Sequence, residues 1–174
     1  ADASIIPTYF LSQFTKQFVT VALGGDGGDE LFAGYPTFQA EKMVGLYEAI
    51  PISFKNFIEK IIRTLPAKDS NFSLDFKLKK FINGADSNRY YRHQNWLGSF
   101  NRTERQKLFK PGVWEKLLKE NEFEELDVYS KESRVAEFNN QLLYQYLRTY
   151  LMDGVLVKVD RASMYNALEI RAPL

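Results

Sequence analysis

Cysteine is absent from these 174 residues. A disulfide scaffold, a thiolate metal centre and a cysteine nucleophile are therefore excluded within them. Histidine is almost as scarce, and His93 stands alone among Tyr90, Tyr91, Arg92 and Trp96. With no second metal-ligating imidazole or thiol, His93 reads as a packing or surface residue. No apolar run approaches the roughly 20 residues that crossing a bilayer requires, and no signal peptide is visible at the start. Neither sign of charge dominates, since 23 basic and 22 acidic residues leave a formal charge of +1. That balance gives no support to a nucleic-acid or polyanion partner. Membrane and nucleic acid are thus not expected as partners, and the missing cysteines fit a cytoplasmic location. Repeats and low-complexity tracts are missing too.

What is present is enough for a core. Apolar residues make up 45% of the chain, with 14 Phe and 10 Tyr. Residues 1–174 read as a single domain. The chain begins at Ala1 without Met and stops at "EIRAPL". It is expected to be a piece cut from a longer protein.

Periodicity points to helices. "SIIPTYFLSQFTKQF" places Tyr9, Phe10, Phe14 and Phe18 roughly on one face of a helix opening at Pro7. In "SFKNFIEKIIRTL" the residues Phe54, Phe57, Ile58, Ile61, Ile62 and Leu65 recur at helical spacing, a core-facing pattern, with Ser53 as N-cap and Pro66 beyond the end. "SLDFKLKKFING" predicts a helix closed by Gly84. A long helix is expected from about Ser133 to Met152, broken by Asp153–Gly154, with Asp153 capping a second helix from Val155 to Leu168. "FVTVAL" is short and β-branched and reads as a buried strand. The fold class is mostly α with one or few short strands. A lone strand is not a sheet, so its partners are expected upstream.

Two stretches carry chemistry. The first is "VALGGDGGDELFAGY", where the strand runs into Gly24, Gly25, Gly27 and Gly28. These glycines allow positive φ and close backbone approach. A strand–loop–helix turn sits where open α/β sheets bind ligands. Asp26, Asp29 and Glu30 would repel bare phosphate. They can instead meet Mg²⁺ on a nucleotide, accept a proton from an attacking amine, or bind a cationic segment. Otherwise the loop is a glycine-rich turn with a capping aspartate. It matches neither the GxGxxG fingerprint nor the GxxxxGK[ST] loop.

The second stretch is "DGVLVKVDRASMYNALEIRAPL". Lys158 and Arg161 lie three apart and share a helix side, with Asp160 pointing elsewhere. Glu169 and Arg171 lie two apart in an extended segment and face the same way. So many charges among apolar neighbours point to buried, paired ions, with the acidic loop at residues 26–30 as partner of the cations. A purely structural salt-bridge network is the alternative.

Together, "LGGDGGDELFAGY" and "LVKVDRASMYNALEIRAPL" resemble the synthetase domain of glutamine-hydrolysing asparagine synthetases. The resemblance extends over nearly the whole chain and includes "NRYYRHQNWLGSF". It implies part of an adenine-nucleotide α-hydrolase-like, PP-loop α/β domain. It also implies a reaction in which Mg-ATP activates aspartate as aspartyl-AMP and ammonia from an N-terminal glutaminase domain attacks it. ATP and Mg²⁺ are the implied cofactors; aspartate, ATP and glutamine-derived ammonia are the implied partners. By the same resemblance Asp26 lies at the reaction centre, and Gly24 and Gly25 lie near nucleotide and substrate. Asp29, Asp160, Arg161, Glu169 and Arg171 become ion pairs that shape the pocket; Gly27, Gly28, Glu30 and Lys158 are secondary candidates. No metal ligand is assigned.

Departures matter as well. Gly24 stands where the family usually has Ser, and Ala33 where Gly is common. The SGGxDS loop, the N-terminal cysteine and the family's catalytic lysine are not in these residues, which implies that they are inactive alone. A domain cut through its sheet exposes apolar surface, so a homodimer or a loosened strand region is expected in isolation. Related readings are an enzyme adenylating another carboxylate, as β-lactam synthetases or polysaccharide-cluster amidotransferases do, and a non-catalytic helical scaffold.

Overall fold

A computed structural model describes residues 2–66, 73–100 and 102–172. Pro173 and Leu174, the end of the second stretch, lie outside the described residues. In chain order the elements are α1 (Ile5–Thr15), β1 (Val21–Leu23), α2 (Gly28–Phe32), α3 (Pro36–Glu48), α4 (Ile52–Thr64), α5 (Leu74–Ala85) and α6 (Arg92–Leu97). There follow α7 (Arg102–Leu108), α8 (Pro111–Leu117), α9 (Glu124–Glu132), α10 (Phe138–Tyr146), a π-helical stretch (Leu147–Leu156), α11 (Val157–Met164) and β2 (Glu169–Arg171). No described helix is long and apolar enough to cross a membrane.

The chain forms two compact units, Ala1–Tyr35 with Val128–Leu174, and Pro36–Asp127. In the first, β1 and β2 pair in parallel, with Val21 opposite Glu169 and Leu23 opposite Arg171. One strand partner thus comes from the C-terminal stretch, which the sequence did not mark as the mate of β1. Parallel pairing needs a long crossover rather than a hairpin, and the two halves of this unit are far enough apart in sequence to supply one. Leu142, Tyr146, Ala162 and Leu168 form its buried apolar centre.

Helix winding departs from the sequence reading in the C-terminal half. Asp153–Gly154 does not break the chain; Phe138 to Met164 is one uninterrupted helical run with π winding in its middle. A π turn takes up more residues than an α turn, which lets helical hydrogen bonding continue past a residue pair that usually stops it. A methyl group on Gly154 would meet nothing within 4 Å. Gly154→Ala is therefore expected to stabilise by about 0.8–1 kcal/mol. The melting temperature should rise by roughly 2–4 °C; a fall would mean that the backbone turns at Gly154 after all.

In the second unit, Phe38, Val44, Tyr47, Ile82, Ala85 and Trp96 are buried. α4 ends as predicted, with Leu65 extended before Pro66. Its N-cap is Pro51 rather than Ser53. Only Ile62 of its apolar row is buried; Phe54 and Phe57 are 64% and 63% exposed. The face read as core is largely uncovered within these residues, because periodicity reports an apolar stripe but not what covers it.

Gly84 does not close α5 but lies within it, buried. The indole of Trp96 packs where a side chain would be: a Cβ on Gly84 would overlap Trp96 Nε1. That indole is held by an N–H bond to the Phe81 carbonyl at 3.1 Å and by stacking on the Phe81 ring. Gly84→Ala should destabilise by about 1–3 kcal/mol through overpacking, read as a lower denaturation midpoint with unchanged slope. Wild-type stability would contradict this packing. His93 is a packing residue, as expected, nearly fully buried with its ring edge-on to Phe38.

Candidate functional site

β1 delivers the chain into the glycine loop at its C-terminal end. The Gly24 N–H donates to the Arg171 carbonyl at 2.9 Å, which carries the strand pairing one step further. Of the loop glycines only Gly27 needs its conformational freedom, with φ of 96°. Gly24 leaves room of another kind. A Cβ there would lie 2.9 Å from Asp26 Oδ2 and 3.1 Å from Ile170 Cγ2. The missing side chain lets the Asp26 carboxylate fold back beside β2.

Asp26, Leu156, Val159, Asp160, Ile170 and Ala172 line a cleft of about 230 Å³. Asp26 comes from the first stretch and Asp160 from the second, so the fold brings one carboxylate from each into one small space. Leu156, Val159 and Ile170 supply apolar walls, and none of them was singled out from sequence. Ile170 had a legible signal: in a strand it must face opposite to Glu169 and Arg171.

The other charges do not form a buried network. Lys158 Nζ pairs with Asp2 at 3.3 Å and bonds Ser4 Oγ at 3.0 Å, which ties α11 to the segment entering α1. Arg171 Nε donates to Glu169 Oε1 at 2.6 Å, so the two do share a face, but that face is exposed. Asp160 and Arg161 are exposed, and Arg161 has no ion pair among the described residues. The expectation of buried, paired ions meeting the acidic loop is therefore corrected: two strand residues on an outward face and a helix side turned to solvent leave these charges in water, where isolated pairs contribute little. Asp29 is exposed in the first turn of α2, beside Gly34.

Glu30 is the buried acid of the loop, 1% exposed. Its partner is not a cation. Tyr35 donates its phenolic O–H to Glu30 Oε1 at 2.5 Å. The Tyr35 ring stacks on Tyr146 with centroids 5.5 Å apart and meets Tyr150 edge-on at 5.6 Å. Burial first, then the bond to Glu30, pushes the Tyr35 phenol far above its ordinary value, so it keeps its proton. Sequence reasoning passed over Tyr35 because nothing local marks which aromatic will meet a buried carboxylate. Among the described residues no three His, Cys, Asp or Glu gather as a metal site.

All of residues 1–174 match the family model described as asparagine synthase. Over 178 residues, 99% of the chain, it is 28% identical to a glutamine-hydrolyzing asparagine synthetase 1 of Bacillus subtilis, covering 26% of that protein. It is 29% identical over 168 residues to a putative glutamine-hydrolyzing asparagine synthetase 2 of Methanocaldococcus jannaschii, 94% of the chain and 29% of that protein. A putative asparagine synthetase of Mycobacterium bovis is 24% identical over 173 residues, 99% of the chain and 25% of that protein. The chain thus spans about a quarter of the length of these curated relatives. No solved structure matches it significantly.

Proposed function

Because the chain belongs to the asparagine synthase family, we propose that it forms one wall of the reaction centre of an ATP-dependent, amide-forming ligase that makes asparagine from aspartate and glutamine-derived ammonia. The carrying observation is that Asp26 and Asp160, from the two characteristic stretches, line one cleft. The cleft lies past the C-terminal ends of two parallel strands, the usual ligand position of open α/β sheets. A PP-loop type of domain accommodates that arrangement.

In the proposed reaction an aspartate carboxylate oxygen attacks the α-phosphorus of ATP. The bond to pyrophosphate breaks, and aspartyl-AMP results. Ammonia then attacks the acyl carbon, the bond to AMP breaks, and the attacking nitrogen must lose a proton. Asp26 is a carboxylate able to accept it. Two carboxylates without a third fit Mg²⁺ carried in by a nucleotide, since that ion takes one or two protein carboxylates and fills its shell with phosphate oxygens and water. Asp26 and Asp160 would hold it, and when bound it offsets charge on the pyrophosphate oxygens. Leu156, Val159 and Ile170 keep water from one side of the cleft.

The test uses the full-length gene product. Pyrophosphate release from Mg-ATP should require aspartate, and asparagine should appear when glutamine or ammonia is added. Release that needs a different carboxylate would keep the adenylation chemistry and change the substrate. No carboxylate-dependent release would overturn the proposal.

A further inference from the structure

We infer that Glu30 and Tyr35 are positioning residues: their buried bond holds the Gly24–Gly28 loop, and with it Asp26, against the helix that carries Tyr146 and Leu151. The inference rests on Asp26 belonging to the reaction centre. Three observations converge on it. Glu30 has no cation within salt-bridge distance among the described residues, and its carboxylate is nonetheless buried and bonded by Tyr35. A buried carboxylate with one strong donor is costly to separate from it. Tyr35 is itself seated, since its ring lies on Tyr146, 1% exposed, and against Tyr150.

The other end of the loop lies near the same helix. Leu151 in the π-helical stretch lies 3.7 Å from where a Cβ of Gly27 would be. From Gly27 to Tyr35 the chain carries left-handed turns at Gly27 and Ala33. A helix as short as α2, five residues, does not hold itself in place. Its position therefore depends on the side chains that anchor it, and Asp26 lies directly N-terminal to it.

Tyr35→Phe removes the hydroxyl and keeps the ring stack. In the full-length gene product, amide hydrogen exchange across residues 24–34 should speed up by tenfold or more, with exchange in α3 to α8 unchanged. The kcat for amide formation should fall by tenfold or more, with KM for ATP changed by less than threefold. Glu30→Gln keeps a carbonyl acceptor for the Tyr35 hydroxyl and should retain most of the protection; Glu30→Ala should not. On a background of Asp26→Ala, Tyr35→Phe should add little further loss. Unchanged loop exchange in Tyr35→Phe overturns the inference, as does faster exchange with unchanged kcat. Full activity of Asp26→Ala alone would instead overturn the role proposed for the cleft, and the exchange measurement would still judge the anchor.

Discussion

Asp26→Ala in the full-length gene product is expected to lower amide formation by at least about a hundredfold, the low end of what a positioned proton acceptor contributes. Stability should barely change. Asp26 is only partly buried and forms no ion pair among the described residues, so its removal leaves no unpaired buried charge. A substitution of that kind stays within about 0.5 kcal/mol. The measurement is a pair of progress curves, pyrophosphate and asparagine, on enzyme whose melting point matches wild type. Parallel loss of both products places Asp26 at activation of the carboxylate. Loss of asparagine with pyrophosphate retained places it at the ammonia step. Retention of both would return the chain to the scaffold reading.

The largest loss of stability should come from Arg92→Leu. Arg92 is 5% exposed. Its guanidinium reaches Glu41 at 2.8 Å, Glu48 at 3.0 Å and the Ser87 carbonyl at 3.3 Å. Glu48 is half-exposed and can return to water, but the Glu41 side chain is only 15% exposed. Breaking a buried pair on one side typically costs about 3–5 kcal/mol, because the remaining charge is uncompensated. A drop in melting temperature of roughly 6–20 °C follows, and a change under 2 °C would refute the role given to this cluster.

Acid titration supplies an independent check. Burial pushes the Glu41 carboxyl up, but the nearby His93 imidazole, 3.7 Å away, and the hydrogen bond and charge of Arg92 outweigh it and hold the carboxyl below its ordinary value of 4.5. A depressed carboxylate contributes stability that is present above that ordinary value and is lost as pH falls through the lower folded one. Wild type should therefore weaken on acidification below about pH 4.5. In Arg92→Leu the same carboxylate gains from protonation, so the gap to wild type should narrow over that range. Glu41→Gln should flatten it.

Much of the helical content is legible from spacing, as the end of α4 before Pro66 shows. The extended character of Glu169–Arg171 and the shared face of its two charges are legible as well. What spacing does not carry is partnership. β1 pairs with a strand whose own sequence looks like a charged tail, because hydrogen bonding between strands leaves no trace in either one. Gly84 reads as a stop signal until Trp96, from another helix, is seen to occupy the space of its missing side chain. Charged residues near apolar ones read as buried pairs, yet Arg161 and Arg171 face water, since composition averages over faces that the fold separates. At the cleft, Asp26 is visible in the glycine loop. Asp160 is named by the resemblance as one of the pocket-shaping charges, and its turn away from Lys158 and Arg161 is what brings it to the cleft.

The pairing of β1 with β2 also sets an order of events on the ribosome. Val21 meets Glu169, 148 positions later in the chain. At about 5–20 residues per second, the glycine loop emerges roughly 7–30 s before the strand that holds its base has been made. Gly24 has no carbonyl at Arg171 to bond during that interval. The acidic turn is thus synthesised well before it can take shape, so a ribosome that stalls ahead of β2 holds a nascent chain in which every residue of the loop is present and the strand pairing at its base is not.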